Sequence, residues 1–577
     1  LQTYIDNRLD VEFSKREGNE PVEYEDLLSA AGEFGKYQLI LFFSTFPFYI
    51  FAVFNYYSQL LMTETSSNHW CWIPELANLN DTERLHLAIP PDMNTKNGYS
   101  HCYAYDANWT ELLITGLTPN RTWNTVPCQN GWETDKSEIP YPTITSEMGW
   151  FCDRNSYQAN AQALFFVGSG VGGVFIGWVA DRFGRLPAAV IANLVGCVGG
   201  VASVYARNFT EFAICRFFTG MAYDNCMMMA YLIVLEYVVP KYRTILSNMS
   251  FALFYSVGVT AIPWIALACG HWKTFGLVTS IPLVLSVFAL FVIPESPRWL
   301  LSKGRVEETI EKVLTIGRIN KKEVPQKLID QFRITVATSK EENKGSLLDL
   351  LKRPPLRWLF VYICLLYLFA TMAFDGLVRS IGQLDFDYFV SFSVISFTEF
   401  PSMLLVAFVM DWLGRRWLVA LSLLLCCIST MLTVFVGSGF VSVLFAIIAR
   451  FCVNMAYSAV MQWCAEMMPV SVRATASSVV HICGYISTII TPYIIYLETF
   501  VYWLPLVIIG CVAGASAIFG LLLPETANKD MPVTFEDAEE LMTSQKFWDM
   551  PFLKKRNKSQ TEEREFPMGQ VNESYVN

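Results

Sequence analysis

The chain has 577 residues, of which 53% are hydrophobic, 15% aromatic and only 16% charged. Soluble globular proteins carry about 25% charged residues, so this composition excludes a string of ordinary soluble domains and points to a membrane. The formal net charge of -10 argues against nucleic acid as a partner, because phosphate binding needs a basic face.

Residues 1–37 are polar and acidic, without a basic leader or small-residue cleavage site, and read as a cytoplasmic tail. Twelve apolar runs follow, each close to the roughly 20 residues that span a bilayer: 38–62, 157–179, 187–206, 210–236, 244–268, 274–293, 357–378, 387–410, 417–437, 440–466, 474–497 and 502–523. The expected class is an all-α polytopic membrane protein. It has a first six-helix half over 38–293, including an outer loop 63–156, then an inner loop 294–356, a second half 357–523 and a tail 524–577. Lys and Arg concentrate in the tails and in the even-to-odd loops, which places both termini in the cytoplasm. The basic inner loop is expected to form short amphipathic helices on the inner membrane face.

The outer loop carries Cys71, Cys102, Cys128 and Cys152, an even number that suits two disulfides in an oxidising space, with three connectivities open. Sequons head at Asn80, Asn108 and Asn120 in the same loop, and at Asn248, Asn557 and Asn572 on the expected inside. The other cysteines do not fall at metal-ligand spacings, so neither a metal nor a cofactor is expected.

The two halves repeat. GWVADRFGR, with Asp181 and Arg185 after the second run, returns as AFVMDWLGR with Asp411 and Arg415, an offset of 230 residues. Glu236 and Arg243 return as Glu466 and Arg473 at the same offset, and Pro294-Glu295-Ser296 returns as Pro524-Glu525-Thr526. RFFTGMAY from Arg216 has an echo in RFCVNMAY from Arg450, shifted by a further four residues. Parallel repeats that rock about a midplane site are the physical basis of alternating access, and these inner-end charges are the expected gates.

The G-x-x-x-D-R-x-G-R stretch at 177–185 resembles the signature loop of the major facilitator superfamily. CQNGWETDKSEIPYPTITSEMGWFCD at 128–153, PESPRWL at 294–300 and LLLPETANKDMPVTFEDAE at 521–539 are similar to the organic cation, organic anion and carnitine transporter family. The narrower resemblance is to insect-type transporters of β-alanine or carcinine. The resemblance implies the major facilitator fold, a plasma-membrane location and alternating-access movement of small organic cations or amine zwitterions, with ion transport and glycosylation among the associated properties. Besides substrate, the expected partner is membrane lipid.

An ionisable group near the bilayer centre costs roughly 2.5–3.5 kcal/mol on insertion scales and is a functional candidate by default. Asp224 lies at the middle of the fourth run and is the first candidate for a substrate ammonium; Arg216, eight residues away, is poorly placed to pair with it. Asp375 has Arg379 at i+4 as a ready partner, although Gly376 is a possible helix break, and Glu399 precedes Pro401, where a kink is expected. The resemblance places Phe374, Asp375, Glu399, Tyr457 and Tyr485 at cavity positions. Tyr485 stands where cation-carrying members have Asp and anion-carrying members Arg. Met227 and Met228 offer adaptable surface, Tyr223 a ring, and His481 a titratable group one turn from Tyr485. Organic anion transport is one alternative, and a receptor that binds ligand through the outer loop is another. A polytopic enzyme is disfavoured, because HExxH, GxSxG and P-loop patterns are missing from the sequence.

Overall fold

The computed structural model describes residues 22–543 apart from 67, 93–97, 116–118, 121, 339–346, 384–386, 437–438, 470, 528, 530 and 533. Sequons at Asn557 and Asn572, and most of both tails, lie outside the described residues. Among these, twelve helical segments are long and apolar enough to cross a membrane. Spans 1 to 6 are Lys36–Met62, Cys152–Phe183, Arg185–Val204, Phe209–Glu236, Pro240–Cys269 and Trp272–Val292. Spans 7 to 12 are Pro354–Arg379, Tyr388–Leu413, Arg415–Val436, Phe440–Glu466, Thr475–Thr499 and Leu504–Leu521.

Small residues set the packing that positions the site. A Cβ on Gly168 or Gly172 of span 2 would stand 2.1 Å from the Phe217 carbonyl oxygen or 2.3 Å from that of Met221 in span 4, and one on Gly220 would meet the Phe165 carbonyl oxygen at 1.9 Å. Spans 2 and 4 therefore pack backbone to backbone, as membrane helices do where small residues allow it. Span 8 divides into Tyr388–Phe397 and Glu399–Leu413. The break falls one turn before Pro401, whose missing N–H cannot bond the Phe397 carbonyl. Span 7, by contrast, stays helical through Gly376.

The outer loop folds on a small core of its own, built on Trp70, Leu76, Ile89, Tyr105 and Trp109. Strand β1 (His69–Cys71) pairs antiparallel with β4 (Trp132–Thr134), and β2 (Tyr103–Tyr105) with β3 (Thr125–Pro127). Of the three connectivities open to the sequence, the disulfides are Cys71–Cys128 and Cys102–Cys152. Asn80, Asn108 and Asn120 are exposed on this domain, whereas Asn248 is 6% exposed inside span 5 and accepts a hydrogen bond from Ser458.

The segment read as a polar tail is folded from residue 22 onward. Val22, Leu27, Leu28 and Ala31 are buried, and the helix Tyr24–Ala30 docks on the inner end of the first half. Glu25 bridges Arg243 at 3.3 Å and Arg298, and the Tyr24 hydroxyl donates to the Glu236 carbonyl. Among the described residues of the inner loop are four short helices, Pro297–Ser302, Val306–Asn320, Gln326–Thr338 and Leu347–Lys352.

Candidate functional site

Three carboxylates and three arginines lie at membrane depth, and the structure treats them differently. Arg379 donates to Asp375 at 2.8 Å, and both side chains are at most 5% exposed. Arg450 donates to Glu399 at 2.6 Å and to the Phe374 carbonyl at 2.7 Å, with its guanidinium 4.1 Å from the centre of the Phe374 ring. Arg216 has no carboxylate partner among the described residues: it donates to Gln59 at 3.0 Å and Ser58 at 3.3 Å, and lies 5.7 Å from the Phe212 ring and 6.0 Å from that of Phe165. Asp224 has no Lys or Arg partner among the described residues.

Asp224 is half-buried on span 4 and faces the second half. The hydroxyls of Tyr485 on span 11 and Ser169 on span 2 stand beside its carboxylate, and Tyr457 and Tyr367 are within its electrostatic reach. Tyr457 stacks on Phe374 with ring centres 4.6 Å apart, and the Tyr367 hydroxyl lies 3.3 Å from that of Tyr457 and 3.5 Å from Nδ1 of His481. Phe374, Tyr457, His481 and Tyr485 are all half-buried. One unpaired carboxylate facing a group of aromatic rings and hydroxyls suits an ammonium, which a desolvated ring attracts by about 2 kcal/mol.

Three expected substrate residues are placed elsewhere. Glu399, 3% exposed, is engaged by Arg450 instead of being left for a ligand. Asp375 belongs to a latch between the halves: Tyr56 of span 1 donates to it, and Arg379 reaches across to the Gln162 side chain on span 2. Met227, 6% exposed, is packed in the first-half core, and Met228 is the half-buried neighbour. Helix geometry explains the exchange, since residue i+4 lies about 40° from residue i and residue i+3 about 60°.

The latch closes the outer end. Glu64 accepts from Tyr388 at 3.2 Å and Asn160 from Tyr493 at 3.0 Å, both between halves. Above it lies a vestibule of about 540 Å³, floored by Gln162 and Arg379 and walled by Glu64, His69, Asp153 and Glu498. Burial and the adjacent His101 push the His69 imidazole down to about 3, so His69 adds no positive charge to this wall where histidine would ordinarily begin to charge.

Comparison with known proteins gives this geometry its context. The model of the Major Facilitator Superfamily matches residues 141–492 and 392–553. The Drosophila melanogaster carcinine transporter is 30% identical over 92% of this chain and 81% of its own length. The chain belongs to the major facilitator superfamily. Other relatives are the Drosophila melanogaster beta-alanine transporter, 28% identical over 91% of this chain and 90% of its own length, and human solute carrier family 22 member 2, 27% identical over 91% and 97%. These relatives are transporters, not enzymes. Among solved structures, the partially occluded inward open conformation of the xylose transporter XylE from E. coli aligns with a TM-score of 0.55. It covers 85% of this chain and 99% of its own at 16% identity, a likeness of fold.

At the inner end of this major facilitator chain, each half closes on itself. Glu295 accepts from the Arg185 backbone N–H at 2.8 Å and Glu525 from that of Arg415 at 2.9 Å, so each carboxylate caps the first turn of the third helix in its half. Arg185 pairs with Asp181 at 2.7 Å and Arg415 with Asp411 at 2.8 Å. Arg415 also holds Glu466 at 3.1 Å, whereas Glu236 is bonded by Ser296. Arg243 donates to the Leu235 and Val238 carbonyls and to Glu25, and Arg473 to the Met468 carbonyl. Among the described residues, no ion pair joins the two halves at this end.

Sequence reasoning missed Tyr56, Tyr367, Gln162, Ser169 and Glu64. The 230-residue offset marks Ser169, since it carries Glu399 onto that position. Nothing in the sequence distinguishes Tyr56 within the aromatic run of span 1.

Proposed function

We propose that this chain carries small organic cations or amine zwitterions across the plasma membrane by alternating access, with both termini cytoplasmic. The observation that carries this reading is Asp224: a midplane carboxylate, half-buried, without a basic partner among the described residues, and facing Tyr485 and Tyr457, with Phe374 stacked on Tyr457, as the remaining substrate contacts. Relatives named for carcinine, beta-alanine and organic cations support it. An organic anion would meet Asp224, while Arg216, Arg379 and Arg450 are sealed in other contacts. In this reading Asp375 belongs to the outer gate and Glu399 braces the second half. Asp181, Arg185, Glu236, Arg243, Asp411, Arg415, Glu466 and Arg473 form the inner gate. The disulfide-bonded domain is extracellular, with glycans on Asn80, Asn108 and Asn120.

Uptake of labelled carcinine into proteoliposomes tests the function. Accumulation that rises with an inside-negative potential is the expected result. Binding without accumulation would leave a receptor.

A further inference from the structure

Glu64 has a setting that the substrate reading does not use. It follows the end of span 1, in the first half, and its carboxylate accepts from the Tyr388 hydroxyl at the start of span 8, in the second. It also lines the vestibule, so water from the outside reaches it without passing the latch. Among the described residues no Lys or Arg is paired with it.

The groups that face it come from every neighbouring element. Tyr388 stands on span 8 and Arg379 on span 7, where Asp375 and Gln162 already engage the guanidinium. Glu498 stands at the end of span 11, and Glu138 and Tyr141 come from the outer domain just before span 2. His69 shares the cavity and bonds the Ser66 carbonyl. Two like charges, one engaged cation and one phenol leave a carboxylate in this position poorly compensated when the mouth is shut.

We propose that Glu64 is a proton-binding site that senses extracellular acidity and, when occupied, holds the outer mouth shut. Closing packs span 8 over span 1 and leaves the carboxyl half-buried at the edge of the vestibule, drawn partly out of water, which a neutral acid tolerates better than an anion does. Opening must part Glu64 from Tyr388 and hydrate it, and its proton then leaves to the outside. The protein balance is one proton bound on closing and one released on opening, both exchanged with the vestibule. Only the opening and closing of the outer mouth is required, whatever the substrate.

Burial pushes the Glu64 carboxyl up to about 8 in the closed state; Glu498 and Glu138 add to the rise, while the Tyr388 hydrogen bond and Arg379 oppose it. A hydrated glutamate in the open state returns toward its ordinary value of 4.5. Between those values the closed state binds more protons than the open one, so closure is favoured as pH falls. For one proton, the closed-to-open ratio rises by at most about tenfold per pH unit.

The test uses the full chain in nanodiscs, with fluorophores on p-azidophenylalanine placed at Tyr205 and Phe440, which are 71% and 72% exposed at the outer ends of the two halves. Energy transfer is followed from about pH 8.5 to about pH 5.5. The native chain is expected to shift toward the shorter distance as pH falls. Glu64→Gln and Glu64→Ala each leave nothing to titrate, and either is expected to give a flat profile, with Gln at the short distance throughout. A flat native profile, opening in acid, or an acid shift that survives unchanged in either variant would overturn the proposal.

Discussion

The two halves share a scaffold and use their buried charges in opposite ways. In the second half, Glu399 on span 8 and Arg450 on span 10 form a sealed pair, and Ser458 beyond them bonds Asn248. The repeat carries Glu399 onto Ser169 of span 2, and Arg450 and Ser458 onto Arg216 and Asp224 of span 4. The first half thus has its carboxylate on the other helix, two turns from the arginine and turned to the centre, and Arg216 is left to the neutral Gln59 and Ser58. In the proposed reading, moving one carboxylate turns a brace into a binding group, and this asymmetry is the origin of a preference for cations.

The largest effect is expected from breaking the brace. Glu399→Gln leaves Arg450 buried and unpaired and should lower stability by about 3–5 kcal/mol, read as a fall in Tm in detergent. The equivalent cut in the first half, Gln59→Ala, removes a neutral acceptor and should cost about 1–3 kcal/mol. Equal losses would erase the distinction between the halves.

At the inner end the asymmetry runs the other way. Arg415 keeps Glu466 when Asp411 is removed, whereas among the described residues Asp181 is the only carboxylate in ion-pair contact with Arg185. Asp181→Asn is therefore expected to slow turnover by about fivefold with little change in KM, and Asp411→Asn by less. A matching rise in KM for Asp181→Asn would contradict a gate role. Tyr485→Phe takes one hydroxyl from beside Asp224 and should weaken apparent affinity by about fivefold, equivalent to about 1 kcal/mol, which leaves Asp411→Asn with the smallest expected effect.

The fold was legible because twelve apolar runs, a common offset of 230 and four clustered cysteines each follow from strong physical constraints: bilayer thickness, duplication and oxidation state. Depth put Asp224 forward together with Glu399, and only the placement of Arg450 separates the two. The partner of Glu399 was not legible, since Arg450 lies 51 residues away and only tertiary packing selects it from the other intramembrane arginines. The Tyr56 latch was hidden for a similar reason: a hydroxyl in an aromatic span carries no charge to draw attention. Of Met227 and Met228, both put forward from the sequence, Met228 lies at the smaller helical angle to Asp224.

In the proposed function, Asp224 supplies the negative charge that binds substrate. The most direct test is uptake of labelled carcinine by Asp224→Asn in proteoliposomes, alongside a thermal melt of the same preparation. The account predicts native Tm and a loss of uptake of about tenfold or more, because removing a charged hydrogen-bond partner costs roughly 1.5–3 kcal/mol. Native uptake kinetics in a folded Asp224→Asn variant would contradict it.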